Sequence, residues 1–142
     1  MAYGDLGGLS ARGEKSRSWC RWGLVIACVV FTVVAAVPYG RDAHSVVVLS
    51  VGLDKIVHLL GFAFLAVLAI GAGKGLLLWK RVGLVLLVLG FGAGIEWMQS
   101  YLPYRTFNPV DIVANSIGVA IGAVVGAAAL QNGRRSVERA SQ

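Results

Sequence analysis

VGLVLLVLGFGAGIEWMQ, residues 82–99, is the stretch on which the fold turns. Val82 to Ile95 carry no charge, and Glu96 then interrupts the run before Trp97, Met98 and Gln99. An α-helix needs about 20 residues to cross roughly 30 Å of hydrocarbon at about 1.5 Å per residue. The run reaches that length only with Glu96 inside it, so a spanning helix here places a carboxylate below the membrane surface. That cost needs a reason.

Working outward, Trp22 to Gly40, Ile56 to Gly73 and Ile112 to Gly133 are also free of Asp, Glu, Lys and Arg, and are long enough to cross. The pattern predicts an all-α, polytopic membrane protein. Its four transmembrane helices fall at about residues 19–40, 54–73, 80–102 and 109–132. They make one domain over 19–133, between a polar flank at 1–18 and a basic tail at 134–142, both expected to be poorly ordered. Composition agrees: 57% hydrophobic and 14% charged residues, with a mean hydropathy of +0.74, leave too little polar surface to cover a water-soluble globule. Ser45 to Leu53 is too short to cross and rich in Val; it suits a strand or an interfacial piece and is placed in a loop. The first run also reads as a signal peptide, but its core is long and no small-x-small site precedes Tyr39, so it is expected to stay as a helix. Cys20 and Cys28 lie two turns apart on one helix, which rules against a disulfide between them.

Lys and Arg set the orientation. Arg12, Lys15, Arg17, Arg21, Lys74, Lys80, Arg81, Arg134, Arg135 and Arg139 fall on one side, against Arg41, Lys55 and Arg105 on the other. Ten against three predicts both termini in the cytoplasm. Trp19, Trp22 and Trp79 then anchor the inner boundary, and Tyr39, Trp97, Tyr101 and Tyr104 the outer one. The net charge of +6 is explained by these flanks rather than by a basic patch with exposed aromatics, so no nucleic-acid partner is expected.

In this topology the outer leaflet collects the polar residues. The second helix begins there with Asp54, Lys55 and His58, the third ends there with Glu96 and Gln99, and the fourth begins there with Asp111 and Asn115. Asp54, His58 and Gly61 stand at i, i+4 and i+7, as do Gly92, Glu96 and Gln99, and Asp111, Asn115 and Gly118. Each trio shares one helical stripe. A charged side chain turned toward lipid costs about 2.5–3.5 kcal/mol, so the stripes should face one another. Gly122 and Gly126 continue the last stripe as small-xxx-small spacing; Gly61, Gly92, Gly118, Gly122 and Gly126 read as helix packing, and the fourth-helix stripe would also admit a second copy of the chain.

Several of these residues have purely structural explanations. Asn108, Pro109 and Asp111 read as the cap and first turn of a helix, Asp54 as a cap, and Lys55 as a snorkelling anchor. Arg105 can close the hairpin between the third and fourth helices by pairing with Glu96 or Asp111, or can bind an anionic group. Glu96 and His58 cap nothing and lie under the surface among apolar neighbours, where a partner or a function is the ordinary expectation.

Taken in order, Asp54-Lys55-x-x-His58-x-x-Gly61-Phe62, Glu96-x-x-Gln99, Arg105 and Asp111-x-x-x-Asn115-x-x-Gly118, followed by Gly122, resemble the VanZ-like family of small bacterial membrane proteins. The resemblance runs from Asp54 to about Gly126, with the first helix matched by position alone. It implies a multi-pass protein of the bacterial cell membrane and a role in the envelope. The family takes its name from an accessory product associated with resistance to the glycopeptide teicoplanin.

Two mechanisms follow from the residues. In the favoured one, Lys55, His58, Glu96, Gln99, Arg105, Asp111 and Asn115 bind an anionic lipid or cell-wall precursor. In the other, His58, Glu96 and Asp111 serve as catalytic groups or a proton relay acting on a lipid headgroup, or hold a divalent metal for that purpose. The first is preferred because no Ser or Cys has a base beside it on the stripe, and no zinc-helix motif, phosphate loop or nucleotide fingerprint occurs. A non-enzymatic protein without cofactor or resident metal is therefore expected.

Overall fold

A computed structural model describes residues 6–36, 47–48, 51–103 and 107–140. Four helices make up the chain: α1 (Leu6–Ala36), α2 (Leu53–Ala72), α3 (Leu78–Gln99) and α4 (Pro109–Ala140). Each contains a segment long and apolar enough to span a membrane. Between α1 and α2 a short antiparallel ladder joins β1 (Val47–Val48) to β2 (Val51–Gly52), pairing Val47 with Gly52 and Val48 with Val51. This is the Val-rich segment placed in a loop above, and two residues per strand leave the all-α class unchanged.

The helix ends differ from the apolar runs for local reasons. α1 starts at Leu6 and α4 continues to Ala140, because the residues flanking both runs keep the helical ladder going past the last apolar position. α2 stops at Gly73, whose N–H reaches Ala69 O at 3.0 Å, and the chain turns through Gly75 at φ +81°, a left-handed conformation that suits glycine. Arg81 Nε donates to Leu76 O at 3.0 Å and ties this turn to the first part of α3. α3 ends at Gln99 rather than near 102: the Tyr101 and Leu102 N–H groups bond three residues back, to Met98 and Gln99, and Pro103 cannot continue the ladder. Asn108 caps α4, its Oδ1 accepting the Val110 N–H at 3.1 Å, with Pro109 in the first turn.

α2 occupies the centre. It runs antiparallel to α1, placing Gly61 against Phe31 and Gly71 against Cys20, and antiparallel to α3, placing Gly73 against Leu84 and Gly92 against Phe62. It runs parallel to α4, and this contact is the most extensive in the bundle. Gly118 lies on the Leu59 backbone, Gly122 on the Ala63 backbone and Gly126 on Ile70. A Cβ on Gly118 or Gly122 would overlap main-chain atoms of α2, so the close approach depends on having no side chain there. The face suggested above for a second copy is thus covered by α2 of the same chain.

Phe62, Leu65, Ala66, Ala69, Val88 and Val119 form the core, with Leu24, Phe31, Leu84 and Phe91 around it. Outside it the bundle is apolar: Val29, Val33, Leu87 and Val124 are among the exposed side chains, as a lipid-solvated surface requires. Thr32 and Ser116 satisfy their hydroxyls by donating to the carbonyls of Cys28 and Ile112, both at 2.8 Å. Cys20 and Cys28 are free thiols, and Trp19, Trp22, Trp79, Trp97 and Tyr101 are exposed.

Candidate functional site

Every buried polar residue of the described chain lies at one end of this bundle: His58, Glu96, Gln99, Asp111 and Asn115. The antiparallel course of α2 and α3 and the parallel course of α2 and α4 bring the N-terminal part of α2, the C-terminal part of α3 and the N-terminal part of α4 together. The i, i+4, i+7 stripes therefore meet.

His58 is the hub. Its Nδ1–H donates to Asn115 Oδ1 at 2.9 Å, linking α2 to α4, and the same nitrogen lies 3.8 Å from Glu96 Oε1 on α3. Glu96 is completely buried. The His58 ring lies parallel to Phe62, with centroids 6.4 Å apart, and meets the edge of Phe31 at 5.7 Å. These rings confine the imidazole between apolar walls, which lowers the local dielectric and strengthens its polar contacts.

Gly92 makes room for the arrangement. A Cβ there would stand 2.9 Å from Phe62 Cε1 and 3.2 Å from Asn115 Nδ2, crowding the side chains that bracket His58. Gln99 faces the other way: its Nε2 donates to Ala35 O at 3.1 Å, satisfying a carbonyl near the end of α1. Gln99 thus fastens α3 to α1 at the border of the cluster.

Lys55 lies at the rim, with 27% of its side chain exposed. Its Nζ is 3.0 Å from Asp54 Oδ2 and 3.7 Å from Asp111 Oδ1, so the ammonium stands between a carboxylate of α2 and one of α4. Asp111 Oδ1 and Asn115 Nδ2 are buried with no hydrogen-bond partner among the described residues. His58, Glu96 and Asp111 each present one ligand-type atom, and these atoms lie within 4.8 Å of one another. Of the site residues expected from sequence, Arg105 lies outside the described residues; the others are at this end of the bundle.

Two residues of the site were missed in the sequence. Phe31 belongs to α1, where an aromatic inside an apolar run carries no sign of what it touches. Ala35 contributes only its carbonyl, which no side-chain pattern can reveal. Phe62 stood in the quoted motif one turn after His58 on α2, so its stacking on the imidazole follows from the i, i+4 spacing of the two residues.

No curated protein and no solved structure matches the chain. A model of the VanZ/LLP1 family matches residues 10–130. The match reaches back from the Asp54 to Gly126 region to include α1, the helix that supplies Phe31 and Ala35 to the site. With four spanning helices, the polar stripes joined at one end and nearly the whole chain inside the match, this multi-pass membrane protein belongs to the VanZ/LLP1 family.

Proposed function

We propose that this protein resides in the bacterial cell membrane with both termini in the cytoplasm, and that its polar cluster, then in the outer leaflet, binds an anionic lipid or cell-wall precursor. Through that ligand it alters tolerance of teicoplanin-type glycopeptides. The observation that carries the reading is the position of Lys55. Among the described residues its ammonium is an accessible cation at the rim, above a floor of buried polar side chains, and its contact with Asp111 is long at 3.7 Å. A phosphate or carboxylate group arriving from the lipid side can take the place of Asp111 at the ammonium without stripping Lys55 of its tighter partner, Asp54 at 3.0 Å. The cost of burying ionisable groups in a membrane bundle supports a functional use, and the bias of Lys and Arg supports the orientation.

The test is native mass spectrometry of the purified protein with phosphatidylglycerol and phosphatidylcholine in competition. Preferential retention of the anionic lipid is expected, reduced about fivefold by Lys55→Ala, the equivalent of about 1 kcal/mol for one basic side chain at an anionic surface. Equal retention of both lipids would overturn the reading. The teicoplanin link is checked separately, by susceptibility of a host with and without the gene.

A further inference from the structure

Deeper than Lys55, three side chains from three helices converge. His58, Glu96 and Asp111 place one donor atom each within 4.8 Å of the other two, and their exposures are 7%, 0% and 7%. Asn115 brings a fourth donor, with Oδ1 at 2.9 Å from His58 Nδ1, and Glu96 Oε1 is 3.8 Å from that nitrogen. Around a cation with bonds of about 2.0–2.2 Å, neighbouring ligand atoms stand about 2.9–3.5 Å apart. His58 Nδ1 and Asn115 Oδ1 already stand at that spacing, and the donors of His58, Glu96 and Asp111, all within 4.8 Å of one another, would have to draw closer around the ion. The second observation is Asp111 Oδ1, which is buried and accepts no hydrogen bond among the described residues. Its 3.7 Å ion pair with Lys55 is too long to count as one.

We propose that His58, Glu96 and Asp111, completed by the Asn115 carboxamide oxygen, bind one divalent cation of the zinc or manganese class. The donor set decides the class: imidazole nitrogen favours a transition metal over calcium or magnesium, and carboxylate and amide oxygens without thiolate disfavour copper(I). Each helix supplies a separate part of the site, so it exists only where the three stripes meet. On binding, the cation takes the place of the proton at His58 Nδ1, and that proton moves to Nε2. Lys55 is a competitor for Asp111 rather than a ligand, and it stays on Asp54 when the cation arrives. A bound dication would also neutralise the Glu96 and Asp111 carboxylates, lowering the repulsion that an anionic headgroup meets at the cluster. In that respect the inference deepens the lipid reading, but it is tested with metal alone.

The experiment uses the full chain in phosphatidylcholine nanodiscs, stripped with chelator and dialysed against Zn²⁺ or Mn²⁺ in separate samples, with metal counted by elemental analysis and Mn²⁺ followed by electron paramagnetic resonance. One equivalent per chain is expected. His58→Ala and the isosteric Asp111→Asn should each weaken binding by about tenfold or more while retaining helical content and monodisperse elution. Lys55→Ala should bind at least as tightly as the wild type. A wild type that takes up no more metal than His58→Ala overturns the proposal, and so does Lys55→Ala losing metal as fully as Asp111→Asn. Wild-type protein that prefers phosphatidylglycerol but takes no metal overturns this site and leaves the lipid reading standing. Uptake of metal without lipid preference supports the site and sinks the lipid reading.

Discussion

His58 on α2 and Asn115 on α4 share a 2.9 Å hydrogen bond between residues 57 positions apart, and both are buried. The bond is the polar end of a helix pair that is otherwise held by glycine contacts. Double-mutant cycles with His58→Ala and Asn115→Ala, read by reversible unfolding in mixed micelles, should give a coupling of about 0.6 kcal/mol and no more than about 1.7 kcal/mol. Additive single effects would show that the two side chains are neighbours without interaction.

Gly122 and Gly94 provide a paired test of the α2–α4 contact. A side chain at Gly122 meets the Ala63 backbone, whereas one at Gly94 has nothing within 4 Å. Gly122→Leu should cost about 1–3 kcal/mol or more, while Gly94→Leu stays close to neutral. The comparison is made by thermal unfolding in one detergent; equal shifts for both variants would contradict the close approach.

Reporter fusions after Lys80 and Arg135 should read cytoplasmic, and fusions near Ala43 and Pro103 extracytoplasmic, as the ten-to-three distribution of Lys and Arg requires. Reversal at Lys80 would place the polar cluster in the inner leaflet and remove the basis for an extracytoplasmic ligand.

Glu96→Gln preserves shape and most hydrogen-bonding capacity while removing the charge. The variant should insert at wild-type abundance yet lose the envelope phenotype, and Arg105→Ala should do the same if the guanidinium answers that carboxylate. Immunoblotting of membranes, together with glycopeptide susceptibility, separates the two effects. Full activity in both variants would reduce the cluster to packing and capping.

How much of this was legible in the sequence depends on the kind of signal. Four spans follow from the lengths of the apolar runs, and Glu96 inside the third was forced by the shortness of Val82 to Ile95. The convergence of His58, Glu96 and Asp111 was foreshadowed by their common stripe spacing, because a helix in lipid must turn ionisable groups inward. The pairings were not legible. Gln99 reads as one more polar member of a ligand cluster, but it donates to the Ala35 carbonyl, a partner without any side-chain signature. The ends of α1 and α4 were also hidden: hydropathy marks where a helix leaves hydrocarbon, and helical hydrogen bonding continues beyond that point into Arg- and Glu-containing sequence.

The parallel contact between α2 and α4 has a consequence for biogenesis. The two helices that approach most closely are separated in the chain by α3, so the tightest interface is also the last to be synthesised. A nascent chain with three helices in the bilayer leaves the Leu59 and Ala63 backbone groove open to lipid and His58 without Asn115. Truncation before Pro109 therefore leaves a chain with membrane-embedded polar groups uncovered, at the cost that an unpaired polar or ionisable side chain carries in hydrocarbon.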